Sequence, residues 1–224
     1  MAATAQLLLA RNDVAESLHH CRRISIDEHC SAGLTVYAQT LYRAADSSEA
    51  AIPVYRQYLI AHPRDADIRL QLARALMLKG SVVEAVETYQ VGVFLDPRDI
   101  RLRYHLALAL KMEDETEAAM AELQNIMRTD GFDSYRSRDD ISRLLSKCFI
   151  EKNMLEAAMK QLLATVRSPD TLEALYELGN SFEASGDHSN ARACWEEVYA
   201  VDVKFRDVSQ RLSCSSLRQP RVIK

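Results

Sequence analysis

Apolar and polar positions along the chain alternate with helical spacing, in blocks broken by short polar turns. The clearest block runs from Ile100 to Met112 and carries Leu106, Ala107 and Leu110 on one face. A polar turn, Glu113 to Glu115, separates it from a second block from Thr116 to about Thr129. The pattern predicts two helices joined so tightly that they must lie antiparallel.

The same arrangement recurs. Ala51, Ala85, Ala119, Ala158 and Ala191 follow one another at a near-constant interval, stretched only between Ala119 and Ala158. Four residues after each stand Tyr55, Tyr89, Leu123, Leu162 and Trp195; nine before each stand Tyr42, Leu76, Leu110, Phe149 and Phe182. Twelve before each stand Gln39, Ala73, Ala107, Ser146 and Gly179, mostly small, and each follows Ala38, Leu72, Leu106, Leu145 or Leu178. Small residues at matching places let two backbones approach, and the large ones fill the space above and below that contact. Gln39 is large for its slot, so the first of these units fits the pattern least well.

Turn residues sit where this scheme needs them. Gly80 and Gly186 end first helices, where a left-handed residue is wanted. Pro63 and Pro97, separated by the same interval as Ala51 and Ala85, stop second helices. Pro53 falls inside a second helix and is expected to kink or delay it. Only 6 glycines and 5 prolines occur in 224 residues, too few to punctuate a sheet protein.

These residues resemble the tetratricopeptide repeat (TPR) family. The nearest stretch is Leu175-Tyr176-Glu177-Leu178-Gly179, followed by Phe182, Gly186, Ala191 and Trp195. The resemblance implies an all-α, right-handed α-solenoid of about five antiparallel helix pairs, at about 32–65, 66–99, 100–133, 139–172 and 172–205. Departures are present: the aromatic that the family places early in the first helix is Thr35, Arg69, Arg103 or Ser142 in four units.

Segments outside the five units read as caps. Val14, Ala15, Leu18 and Cys21 have helical spacing, so residues 1–31 are expected to form a helix pair or half-unit covering unit one. Phe205 to Leu212 carries apolar residues at i, i+3 and i+7 and is expected to be a solvated capping helix. Residues 213–224 read as a polar tail, and residues 131–138 as an insertion that lengthens one turn.

Charge and chemistry narrow the function. With 28 Lys and Arg against 32 Asp and Glu, the net charge of −4 gives little phosphate affinity, so nucleic acid is not an expected partner. No run approaches the roughly 18 apolar residues of a membrane span. Five scattered cysteines without a CxxC pair suggest a reducing, cytoplasmic setting. His19, His20, Cys21, His29 and Cys30 are metal-ligating types, but they lack the paired spacing of a zinc site and read as a polar helix end and loop. No nucleophile triad, phosphate loop or nucleotide fingerprint occurs, so neither an enzyme nor a cofactor is expected.

The resemblance implies a concave groove lined by first helices that receives an extended peptide or a partner helix. Its slots fall on Val36, Thr40 and Arg43 in unit one and on Leu70, Arg74 and Met77 in unit two. Arg101, Tyr104, His105, Leu108 and Lys111 follow, then Arg143, Lys147 and Ile150, then Tyr176, Asn180 and Glu183. Arg74, Arg101, Lys111, Arg143 and Lys147 would make this face basic, suited to an acidic segment. The expected function is a protein-interaction adaptor or scaffold; the alternatives are a self-assembling homo-oligomer and a metal-regulated adaptor using His19 to Cys30.

Overall fold

The computed structural model describes residues 2–23, 31–45, 48–129 and 138–216. Among these residues all regular structure is helical, with no strand. The chain divides into two compact units, Met1–Glu115 and Thr116–Lys224.

In the first unit the order is α1 (Ala2–Ala10), α2 (Val14–Arg22), α3 (Ser31–Ala45), a 3-10 turn (Ser48–Ala51), α4 (Ile52–Ala61), α5 (Ala66–Lys79), α6 (Val82–Leu95) and α7 (Ile100–Met112). Pro53 does not kink α4; it stands in the helix's first turn, where its missing amide costs nothing, and the residues before it form the 3-10 turn. Asp65 and Asp99 cap α5 and α7 by accepting backbone amides of Ile68 (3.0 Å) and Arg101 (2.9 Å). Gly80 ends α5 at φ +86°, a conformation that suits glycine.

The core follows the alternation of small and large positions. Ala51, Ala73, Ala85 and Ala107 are buried with Tyr55, Leu76, Tyr89 and Leu110. Gln39 departs from it: the residue is exposed, and its neighbour Ala38 is fully buried in the small position. The spacing from small residue to Ala51 is thus one residue longer than in the other pairs, with the 3-10 turn lying between.

The N-terminal helices obey the same register. Asn12 lies between α1 and α2 at φ 63°, in the left-handed conformation that Gly80 and Asp114 (φ 59°) adopt in later turns. Asn12 precedes Gly80 by twice the interval that separates Ala51 from Ala85. Ser17 stands one such interval before Ala51 and is fully buried; Ala5, twelve residues before it, and Cys21, four after it, are buried too. Residues 2–22 are therefore a further helix pair, with a serine in the alanine position. Its hydroxyl donates to the Ala5 carbonyl (3.0 Å) or shares a proton with the Thr40 hydroxyl (3.0 Å).

The second unit contains α8 (Thr116–Arg128), α9 (Arg138–Glu151), α10 (Leu155–Leu163), α11 (Pro169–Ala184), α12 (His188–Val201) and α13 (Val208–Ser216). Left-handed residues again close the turns, Asn153 at φ 56° and Gly186 at φ 87°. Ala119, Ala158, Ala191, Leu123, Leu162 and Trp195 are buried. Gly179 permits a very close approach: a Cβ there would lie 2.4 Å from Trp195 Nε1. The last pair starts at Pro169, three residues ahead of 172, because Ser168 caps α11 and Pro169 fits its first turn. The final helix starts at Val208 instead of Phe205 and runs to Ser216, so residues 213–216, read from sequence as tail, are helical. Most of the 131–138 insertion and residues 217–224 lie outside the described residues.

Candidate functional site

Within the first unit, the C-terminal halves of α5 and α7 flank an open hollow of about 550 Å³. Arg74, Met77 and Leu78 line it from α5, and His105, Leu108, Lys111 and Met112 from α7. Tyr89 of α6 forms part of the lining and stacks on the His105 ring, with centroids 6.0 Å apart. A smaller hollow of about 180 Å³ adjoins it between α3, α4 and α5, lined by Ala38, Gln39, Ala51, Tyr55, Gln71 and Ala75. Arg74 and Leu78 line both compartments. Burial pushes the Tyr55 phenol up to about 12 despite the opposing charge of Arg74, so this hydroxyl keeps its proton. The lining carries cations and no carboxylate. Leu78 and Met112 are exposed apolar side chains, the reverse of what surface positions near helix ends need for solubility alone.

The structure brings Arg74, Met77, His105, Leu108 and Lys111 together in this lining and leaves other groove positions out of it. Leu70 is 4% exposed and is a core residue. Tyr104 meets His105 edge-on at 5.6 Å but does not line the hollow. Arg101 is held between Asp99 (2.7 Å) and Asp67 (2.8 Å), so its charge is matched inside the fold. Val36 and Thr40 are buried, because α1 and α2 pack against α3; the Thr40 hydroxyl bonds the Val36 carbonyl (2.8 Å). The Arg43 side chain lies outside the described residues. Tyr55, Gln71, Leu78, Tyr89 and Met112 belong to the site without having been assigned to it from sequence. A sequence signal existed for two of them: Leu78 and Met112 are apolar residues at the ends of two first helices, where polar residues are usual.

In the second unit Arg143 pairs with Asp140, lies 3.8 Å from Asp170 and donates to the Ser168 hydroxyl at 3.3 Å, whereas Lys147 is exposed. Tyr176 is buried: its hydroxyl donates to Asp207 and accepts from Arg211 (3.2 Å), while Arg206 lies 4.9 Å over its ring. Arg211 also reaches Glu183 at 2.8 Å, so the C-terminal segment covers both positions. Asn180 is half-buried with a buried Oδ1 that has no hydrogen-bond partner. Among the described residues no three His, Cys, Asp or Glu side chains are arranged to hold a metal; His29 and Cys30 lie outside them. Cys21 is turned inward, and burial raises its thiol pKa. Cys148 and Cys194 are likewise buried free thiols.

Two family models of the tetratricopeptide repeat match the sequence, over residues 38–100 and 173–200. The chain carries tetratricopeptide repeats. No curated protein matches the TPR chain. Solved TPR structures do: YrrB, described as a TPR protein with an unusual peptide-binding site, is 16% identical, with 81% of this chain and 91% of that one covered at a TM-score of 0.63. MamA is 21% identical, covering 73% and 93% at 0.58. PilF of Pseudomonas aeruginosa is 13% identical, covering 97% and 96% at 0.61. At these identities the likeness shows the fold, and the TPR architecture these structures fit is an all-α solenoid. Proteins of the family mediate protein–protein interaction. Among the described residues no helix is long and apolar enough to cross a membrane.

Proposed function

We propose that the chain is a non-catalytic, cytoplasmic interaction scaffold whose first unit holds an extended acidic peptide segment across Arg74. The observation that carries this reading is the lining of the two adjoining compartments: Arg74 and Lys111 over apolar side chains, with no carboxylate among them. Opposite charge gives such a site selectivity and speeds encounter, and the apolar floor supplies the burial that affinity needs. Arg101 and Arg143 contribute less to recognition in this reading, since neither lines the two compartments. Buried free thiols accord with a reducing compartment. The test is affinity capture from the source cell with the wild-type chain and with Arg74→Glu plus Leu108→Glu. A partner retained by the wild type and lost by the double variant supports the reading, and equal retention overturns it.

A second reading, self-assembly, is favoured by Ile60 and Phe94. They stand one repeat interval apart near the ends of α4 and α6, and each is 82% exposed. Large apolar side chains left in water at repeated positions are a feature of interfaces. Light scattering over a concentration series tests it: a mass that stays at one chain removes this reading.

A further inference from the structure

The two compartments differ in size, about 550 Å³ against about 180 Å³, and Arg74 borders both. A ligand whose carboxylate meets Arg74 therefore has room for chain on either side of that residue. This arrangement does not suit a chain end, which would leave one compartment empty. The larger compartment has the floor for a bulky apolar side chain, in Met77, Leu108 and Met112. The smaller one is walled by Ala38, Ala51 and Ala75 and carries the amide side chains of Gln39 and Gln71. An amide both donates and accepts, as a peptide unit does, so these two suit a stretch of ligand backbone with small side chains.

From this we infer that the groove reads an internal acidic residue, flanked on one side by a large apolar residue and on the other by small ones. The inference rests on the reading of the hollow as a peptide groove. Arg74 is the specificity-determining residue, because it alone among the charged lining residues faces both compartments.

The test is selection of random twelve-residue peptides on the immobilised full-length chain, in one library with the C-terminus blocked and in another with it free. The expected result is enrichment, in the blocked library, of Asp or Glu next to Leu, Ile, Met or Phe. A synthetic, amide-capped peptide of the selected sequence should then lose about tenfold or more in affinity for Arg74→Ala, the loss of a charge-assisted contact. Its affinity should fall also for Leu108→Glu, while Lys160→Ala, at an exposed position of α10, leaves it unchanged. Enrichment confined to free C-terminal carboxylates overturns the inference but keeps the groove. So does a groove-dependent peptide without an acidic residue. If no selected peptide responds to Arg74→Ala or Leu108→Glu, the peptide-groove reading fails as well.

Discussion

Arg103 donates its Nε–H to the carbonyl oxygen of Pro97 at 2.8 Å. Arg69 makes the same contact one repeat earlier, with Nη2 on the Pro63 carbonyl at 2.6 Å. These arginines occupy a position where the TPR pattern expects an aromatic side chain. In place of ring packing, the guanidinium ties each first helix back to the turn that enters it.

Arg103→Ala should accordingly cost about 1–2 kcal/mol, the net value of a hydrogen bond from a charged donor near the surface. Arg69 differs, since its Nε is buried without a partner and burial depresses its pKa. Arg69→Met removes that orphaned group together with the bond, so it should cost less than Arg103→Met. Urea midpoints of the two variants compare them directly, and a larger loss for Arg69→Met would show that the orphaned Nε is not a burden.

Gly179→Ala should be the most damaging of three glycine substitutions, at about 2–3 kcal/mol, because the added methyl meets the rigid indole of Trp195 at 2.4 Å. Gly80→Ala has open space but a φ of +86°, a cost of about 1 kcal/mol. Gly92→Ala meets the flexible tip of Leu102 at 2.8 Å, with Arg69 Cδ in ordinary contact at 3.4 Å, and gains helix propensity, so its effect should be small. The drop in thermal midpoint should shrink in that order, and a Gly92→Ala loss matching that of Gly179→Ala would show that Leu102 cannot give way.

Acid should weaken the first unit through Asp99. Burial opposes the charge of this carboxylate, but hydrogen bonds and charge from Arg101, with the amides of Arg101 and Leu102, outweigh it and hold its pKa below the ordinary value. A lowered carboxylate pKa stabilises the fold above the unfolded-state value of about 4, and that contribution disappears as pH falls through the folded-state value. Asp99→Asn should therefore lower the urea midpoint at pH 7 and flatten its decline between pH 5 and pH 2. A decline as steep as the wild type's would mean that other carboxylates set the acid response.

Ser17 and Thr40 should behave as a coupled pair. Either Ser17→Ala or Thr40→Val leaves the other hydroxyl with one partner fewer in a fully buried site, at about 1–2 kcal/mol each. The double variant should cost less than the sum of the two, and strict additivity in the cycle would show that the contact carries no coupling.

The helical repeat could be read from sequence because its signal is steric. Alanines at a near-constant interval, with Tyr89, Leu123 or Trp195 four residues on, are what close-packed backbones between large side chains require. The N-terminal pair was only partly legible for the same reason: Ser17 replaces the alanine and Asn12 the turn glycine, so both signals are missing there. Gln39 misled because one residue more separates Ala38 from Ala51, a shift that intervals between alanines do not reveal.

The groove was less legible. Five of the carried-over positions line one hollow of the first unit. They say nothing of what else faces the same way: α1 and α2 bury Val36 and Thr40, the C-terminal segment covers Tyr176, and nearby aspartates match Arg101 and Arg143. Charge on a helix face is a property of neighbours as much as of sequence, and those neighbours are both local, as Asp99 and Asp140 are, and distant along the chain, as Asp67 and Asp170 are.

The hydroxyl pair beneath the N-terminal helices also bears on how the protein opens. α1 and α2 have nine residues each, whereas α5 and α6 have fourteen, so fewer internal bonds resist their unwinding. Within the first unit, amide exchange and proteolytic nicking should begin there and be slower at α5 and α6, and the Ser17–Thr40 contact sets how often that end lets go.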